Sequence, residues 1–136
     1  MLHRTAMIDY RTLDVYQDAR VLARDLFRII LRLPLWLRWR LGAQLDDAVE
    51  SIGSNLAEGS GRKNVAHGNT ELIRYGHMAH GSACEVEHRI QGLRDRELIS
   101  ASEHADLADR IGHIKARLLR LISAWKRADR GKLDEL

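Results

Sequence analysis

From Leu107 to Trp125 the large apolar residues fall at Leu107, Ile111, Ile114, Leu118, Leu121 and Trp125, in steps of three and four. That spacing puts all six on one stripe of an α-helix, whereas a half-buried strand would need alternation by two. Three further segments keep the same period. The first carries Val15, Ala19, Leu22, Leu26, Ile29 or Ile30, and Leu33. The second carries Leu41, Leu45, Ala48, Ile52 and Leu56. The third carries Leu72, Tyr75, Ala79, Ala83, Val86, Ile90 and Leu93. A helix with one apolar stripe must bury it against other helices. Four such helices, over about 13–33, 36–58, 67–96 and 102–130, therefore predict an all-α fold with one domain over 1–136. Short connections between long helices favour antiparallel neighbours, hence an up-down-up-down four-helix bundle.

Local signals set the expected boundaries. Thr12 reads as the N-cap of the first helix, and Leu33 precedes the single proline, Pro34, a position that disfavours helix. Gly59 can close the second helix in the left-handed conformation, with Gly61 turning the chain and Arg62 and Lys63 beside the negative end of the helix dipole. Ser100-Ala101-Ser102-Glu103 has capping-box spacing. Gly42, Gly53, Gly76, Gly81, Gly92 and Gly112 sit inside helical patterns, where each costs about 1 kcal/mol relative to alanine. Close helix–helix approach and tolerated drift on an exposed face are equally open readings at Gly76 and Gly81, and drift is favoured at the others.

Composition narrows the function. One cysteine leaves no internal disulfide, and the residues from Met1 to Met7 contain no apolar signal core. The longest apolar stretch, Val21 to Leu41, holds six charged residues and cannot span a membrane. A cytoplasmic protein without cofactor is expected. No nucleophile triad or strand-borne phosphate loop is present, which argues against an enzyme.

Charge is unevenly spread. Residues 1–41 hold eight Lys/Arg against four Asp/Glu, residues 110–136 hold eight against three, and residues 42–109 hold six against twelve. Arg20, Arg24, Arg28 and Arg32 recur every fourth residue, a ridge about 18 Å long at 1.5 Å per residue. Arg117, Arg120 and Arg127 add charge to the last helix. Arginine suits bidentate contact with phosphates, and scarce aromatics argue against base-specific reading, so backbone-directed RNA or DNA binding is the expectation. Leu35, Trp36, Leu37, Trp39 and Leu41 form a dense apolar cluster that either caps the core or meets another subunit.

Two candidate sites lie in the middle of the chain. His77, His80, Cys84 and His88 have spacings that suit a transition metal. Their stripe points about 140° from the Leu72–Leu93 stripe by the count of 100° per residue, and one straight helix cannot close a metal site alone. A solvated or interface-facing stripe is the preferred reading. The other site follows from the segment Ser51-Ile52-Gly53-Ser54-Asn55-Leu56-Ala57-Glu58-Gly59, preceded by Gln44-Leu45 and followed by Gly81, Ser82 and Glu85. Taken in order, these motifs resemble the bacterial four-helix-bundle family of intervening-sequence proteins from large-subunit ribosomal RNA genes. A related branch comprises accessory variability determinant proteins of diversity-generating retroelements.

The resemblance covers nearly the whole chain. It departs at Leu35–Arg40, which replaces an acidic residue, and after the Arg62-Lys63 loop, where an aromatic is missing. It implies a symmetric homo-oligomer, a pentamer, that binds RNA and a reverse-transcriptase or ribosomal partner. Asn55, Glu58, Ser82 and Glu85, with Arg62 as counter-ion, are read as a structural polar network between the second and third helices, not a catalytic carboxylate pair. The functional expectation is a non-enzymatic, oligomeric RNA- or protein-binding accessory. The alternatives are a purely structural oligomer and a metal-binding protein using the His77/His80/Cys84/His88 stripe.

Overall fold

A 3-10 turn, Tyr10–Thr12, leads into α1 (Asp14–Arg32). After Pro34, the short helix α2 (Leu35–Leu37) passes through a π-helical segment, Arg38–Gly42, into α3 (Ala43–Val65). Two more long helices follow, α4 (Thr70–Asp95) and α5 (Ala101–Asp134). The computed structural model describes residues 7–65 and 68–134, and among these the fold is all-α, with four long helices and no strand. The apolar stripes meet in one core. Leu22 and Leu26 from α1, Ile52 from α3, Ile90 from α4 and Ile111 from α5 are fully buried. Each such side chain contributes about 1.5–3 kcal/mol over an exposed one. Leu41, Leu121 and Trp125 are only partly buried at the margin of that core.

Several boundaries differ from expectation. Thr12 is not the cap of α1. It lies in the 3-10 turn, where its hydroxyl donates to the Asp9 carbonyl at 2.7 Å, and the Asp9 carboxylate accepts from the Arg11 amide at 3.1 Å. The second long helix runs through Gly59 and Gly61 to Val65. At Gly59 the glycine serves packing: a Cβ there would lie 2.8 Å from Tyr75 Cβ and 3.5 Å from Leu72 Cα. Close approach also explains Gly76, whose Cβ would meet Ile122 and Trp125 at 3.0 Å, but nothing lies within 4 Å of Gly81. His67, the expected start of the third helix, lies outside the described residues; α4 begins at Thr70.

The helix ends are tied down by identifiable groups. Leu33 is extended, as a residue before proline prefers. Arg38 donates to the Leu31 carbonyl at 2.7 Å and the Leu33 carbonyl at 3.3 Å, covering the end of α1. Gly68, at φ 84°, and Asn69 precede α4. The Asn69 amide donates to the Asp129 carboxylate and its side chain to the Trp125 carbonyl, which fastens this turn to α5. At the other end of α4, Glu97 takes a left-handed conformation at φ 57°. The Leu98 amide then reaches Leu93 O at 2.9 Å and the Glu97 amide reaches Arg94 O at 3.0 Å, a Schellman closure. The capping box forms as expected: Ser100 N donates to Glu103 and Glu103 N to Ser100 Oγ, both at 3.0 Å.

Candidate functional site

Arginines four residues apart advance about 400° around a helix of 3.6 residues per turn, so each drifts about 40° past the one before. The Arg20–Arg32 series is therefore a diagonal band. Arg20 and Arg24 border a groove between α1 and α3. Arg28 is exposed on the outer surface, and Arg32 has crossed to the α5 side, where it pairs with Glu103 at 2.5 Å. Arg117, on α5, pairs with Asp18. Arg120 lines a groove at the start of α1 beside Asp14, and Arg127 is exposed near the end of α5. The seven candidate arginines thus separate into two structural ones, Arg32 and Arg117, and five directed outward. Arg24 and Arg28 keep side-chain exposures of 64% and 73%, and among the described residues Asp25 is the carboxylate within 4 Å of them, at 3.6 and 4.0 Å.

The two structural arginines belong to a pattern the sequence reading missed. Between α1 and α5 the ion pairs are Asp18–Arg117, Asp25–Arg110 and Arg32–Glu103. The partners step by seven residues in opposite directions, so α1 and α5 run antiparallel. The signs select this register. Sliding one helix by seven residues would oppose Asp25 with Glu103 or Arg32 with Arg110, and a parallel arrangement would produce two like-charged rungs. Each exposed pair contributes only about 0.2–1 kcal/mol, but the contrast between matched and mismatched rungs specifies orientation, as flanking charges do in coiled coils. Burial raises the Asp25 carboxyl pKa, but the hydrogen bond and charge of Arg110 and the charge of Arg24 outweigh it, leaving Asp25 below the usual carboxylate range.

The polar residues of α3 and α4 form a second ladder with the same spacing. Arg89 donates to Gln44 Oε1 at 2.9 Å, Ser51 Oγ meets Ser82 Oγ at 2.8 Å, and Tyr75 OH donates to Glu58 at 3.2 Å. Asn55 supports the middle rung by donating to Ser51 O at 2.8 Å. Around the third rung, Arg62 and Arg74 stack on the Tyr75 ring at 5.2 and 4.7 Å, and Glu71 bridges them. Glu85 pairs with Arg89 within α4. Asn55, Glu58, Arg62, Ser82 and Glu85 are therefore distributed over three rungs instead of meeting at one centre. Glu58 and Glu85 are about half exposed, at 54% and 48%.

The histidine stripe divides. His77 and His88 are exposed, whereas His80 and Cys84 are half-buried, with His80 Nδ1 3.9 Å from the thiol. Burial lowers the His80 pKa, and the charges of Lys115 and His77 act in the same direction. Lys115 is held by Glu87 across the α4–α5 seam at 3.1 Å. Among the described residues, no three His, Cys, Asp or Glu side chains are placed to share a metal ion. No described helix is long and apolar enough to cross a membrane.

Two surface features remain. The groove between α1 and α3 has a volume of about 560 Å³. Phe27 lines one end of it, and Leu31, Leu35, Trp36 and Trp39 also stand outward, the two tryptophans 65% and 74% exposed. The π turn inserts a residue into the helical count, rotating what precedes it by about 100° relative to α3. Leu45 can then enter the core while Trp36 and Trp39 face solvent.

The fold agrees with what the chain is similar to. A crystal structure of a protein of unknown function from the S23 ribosomal protein family of Bacteroides thetaiotaomicron VPI-5482 matches with a TM-score of 0.67 at 18% identity. The match covers 79% of this chain and 97% of that one, a likeness of fold. Comparison with functionally curated proteins finds no match. The family model described as 23S rRNA-intervening sequence protein matches residues 11–120, which include both polar ladders and the Ser51–Gly59 motif. The chain belongs to the 23S rRNA-intervening sequence protein family.

Proposed function

We propose that this protein is a non-enzymatic, up-down-up-down helical bundle that self-associates as a symmetric homo-oligomer, a pentamer on the family resemblance, and binds RNA through its backbone. The observation that carries the reading is the set of outward arginines. Arg24 and Arg28 have no partner closer than 3.6 Å among the described residues, and Arg20, Arg120 and Arg127 are likewise exposed. Guanidinium groups held on rigid helices and not neutralised across a seam are available for phosphate oxygens. The family's description, which refers to 23S rRNA, supports RNA as the polyanion. Self-association rests on Leu35, Trp36 and Trp39, whose exposed apolar surface marks an interaction face.

Retention of a random-sequence RNA on a filter tests the binding. Arg24→Glu with Arg28→Glu should abolish retention while helicity and light-scattering mass stay unchanged. If the double variant retains RNA like the unmodified chain, the arginines are only solvated. If it loses its assembly, they belong to an interface. Trp36→Ser with Trp39→Ser should reduce the mass to that of the 15.6 kDa chain; an unmodified protein already at that mass would remove the oligomer from the account.

A further inference from the structure

We infer that the groove between α1 and α3 is a docking site for an amphipathic helix of another protein, with an acidic edge that meets α1 and a basic edge that meets α3. The α1 lip carries Arg20 and Arg24, one turn apart, and the α3 lip carries Asp46 and Glu50, also one turn apart. Opposite charges on the two lips of one groove would ordinarily close across it. Here Arg24 reaches only its own neighbour Asp25, and among the described residues no ion pair within 4 Å spans the groove. Arg20 lies over the Tyr16 ring at 5.9 Å, and neither row meets an opposite charge across the space that both line.

The floor explains why the space exists and what fits it. Ala19 and Ala23 from α1 and Ala57 from α3 are too small to fill it, while Gly53 lies under the Tyr16 ring, whose Cε2 would be 3.2 Å from an added Cβ. A floor of such residues lets a helix approach closely along an apolar seam. The groove extends from Tyr16 to Phe27, about 16 Å or three helical turns at 1.5 Å per residue. Tyr16 closes one end through its edge-on contact with Tyr10 at 5.0 Å. Phe27, half exposed, extends the apolar surface at the other. A nucleic acid seated along the floor would bring its phosphates against Asp46 and Glu50, so RNA reaches Arg20 and Arg24 from their outer side, beside Arg28, and leaves the floor to a different ligand. Among the described residues, neither α4 nor α5 of a second copy offers a matching rod. The outward residues of α4 mix Arg74, His77, Met78 and Glu85, and on α5 the acidic Asp106 and Asp109 share a face with the basic Arg120 and Arg127. A helix from a different polypeptide satisfies both rows.

The probe is a fluorescein-labelled helical peptide of about 18 residues, five turns. It has leucine and alanine along one seam, glutamate every fourth residue on one edge and lysine every fourth on the other. A companion peptide carries glutamine on both edges. By fluorescence anisotropy, the charged peptide should bind the full-length protein about tenfold tighter than its companion. Arg20→Glu with Arg24→Glu, or Asp46→Lys with Glu50→Lys, should each weaken binding about tenfold. The four substitutions together should restore it to within about threefold, because a rod with exchanged partners seats in the reverse direction. The acidic lip separates this site from RNA binding, since losing Asp46 and Glu50 should not weaken RNA retention. Equal binding of the two peptides, no loss on reversing either lip, or no restoration in the fourfold variant would overturn the inference. So would a fall in light-scattering mass when the acidic lip alone is reversed, since the groove would then seat a second copy.

Discussion

Gly59→Ala is a sharp test of the α3–α4 contact, because the same substitution elsewhere should have the opposite sign. In a helix interior, alanine is favoured over glycine by about 1 kcal/mol. At Gly81, with nothing within 4 Å of an added Cβ, that gain should appear nearly in full. At Gly59 the added atom would sit 2.8 Å from Tyr75 Cβ, against a normal carbon–carbon separation of about 3.5–4.0 Å. Tyr75 Cβ cannot swing aside, being fixed to the α4 backbone, so the helices must separate by about 1 Å. Separation loosens the fully buried Leu56 and Leu72 and lengthens the Tyr75–Glu58 hydrogen bond. Overpacking of this kind costs about 1–3 kcal/mol. Subtracting the propensity gain leaves a net loss of about 1 kcal/mol, or about 3–5 °C in melting temperature for a domain of this size. Thermal melts followed by circular dichroism, at one protein concentration so that any assembly weighs equally, should show Gly59→Ala below the unmodified protein and Gly81→Ala above it. A Gly59→Ala protein that melts at or above the unmodified temperature would refute the close approach.

Glu103→Ala should lose about 1–2 kcal/mol by urea denaturation, because it removes both the reciprocal cap with Ser100 and the rung to Arg32; Ala101→Ser, on an exposed position in the same turn, should be nearly neutral. Glu97→Gly should gain about 0.5–1 kcal/mol, the left-handed penalty of a side chain at φ 57° less the entropy cost of glycine; an unchanged or lower midpoint would count against the Schellman assignment. Acid should destabilise in two stages. His80 has a folded pKa below its unfolded one, so the unfolded state takes up the proton first and stability declines as pH falls below about 6.5. For Glu103 the Ser100 backbone hydrogen bond is the largest cause of its lowered pKa, and Asp25 is lowered by Arg110 despite burial, so what these two contribute persists until pH falls below about 4. A melting temperature flat from pH 7 to 3 would contradict both stages.

The fold was readable from the sequence wherever burial and period agree. Leu22, Leu26, Ile52, Ile90 and Ile111 entered the core as their spacing required, and the Ser100–Glu103 cap formed because both its members are local. What failed depended on distant neighbours. Gly59 read as a helix stop because nothing in its own segment reveals that Tyr75 packs against it. Thr12 lost the capping role because Asp9 offered the preceding turn a stronger side-chain acceptor. The arginine band read as one ridge because four-residue spacing conceals a drift of about 40° per step, and because the carboxylates that hold Arg32 and Arg117 lie 71 and 99 residues away. A signal for those rungs did exist: Asp18, Asp25 and Arg32, Glu103, Arg110 and Arg117, and Gln44, Ser51 and Glu58 each recur every seventh residue. The polar residues of the family motif are thus largely accounted for by register between helices, and the outward arginines are what remains for a partner.

That division is tested most directly by the salt dependence of RNA binding. For single-stranded RNA, log affinity should fall linearly with log salt, with a slope of about −0.7 per neutralised phosphate. Arg28→Gln with Arg120→Gln should make that slope shallower by about 1.4, because each arginine removed leaves one phosphate to its counterions. Asp18→Asn, which releases Arg117 from its rung, should leave the slope unchanged or steeper. Binding that does not change with salt, or a slope unmoved by removal of the two outward arginines, would contradict the account.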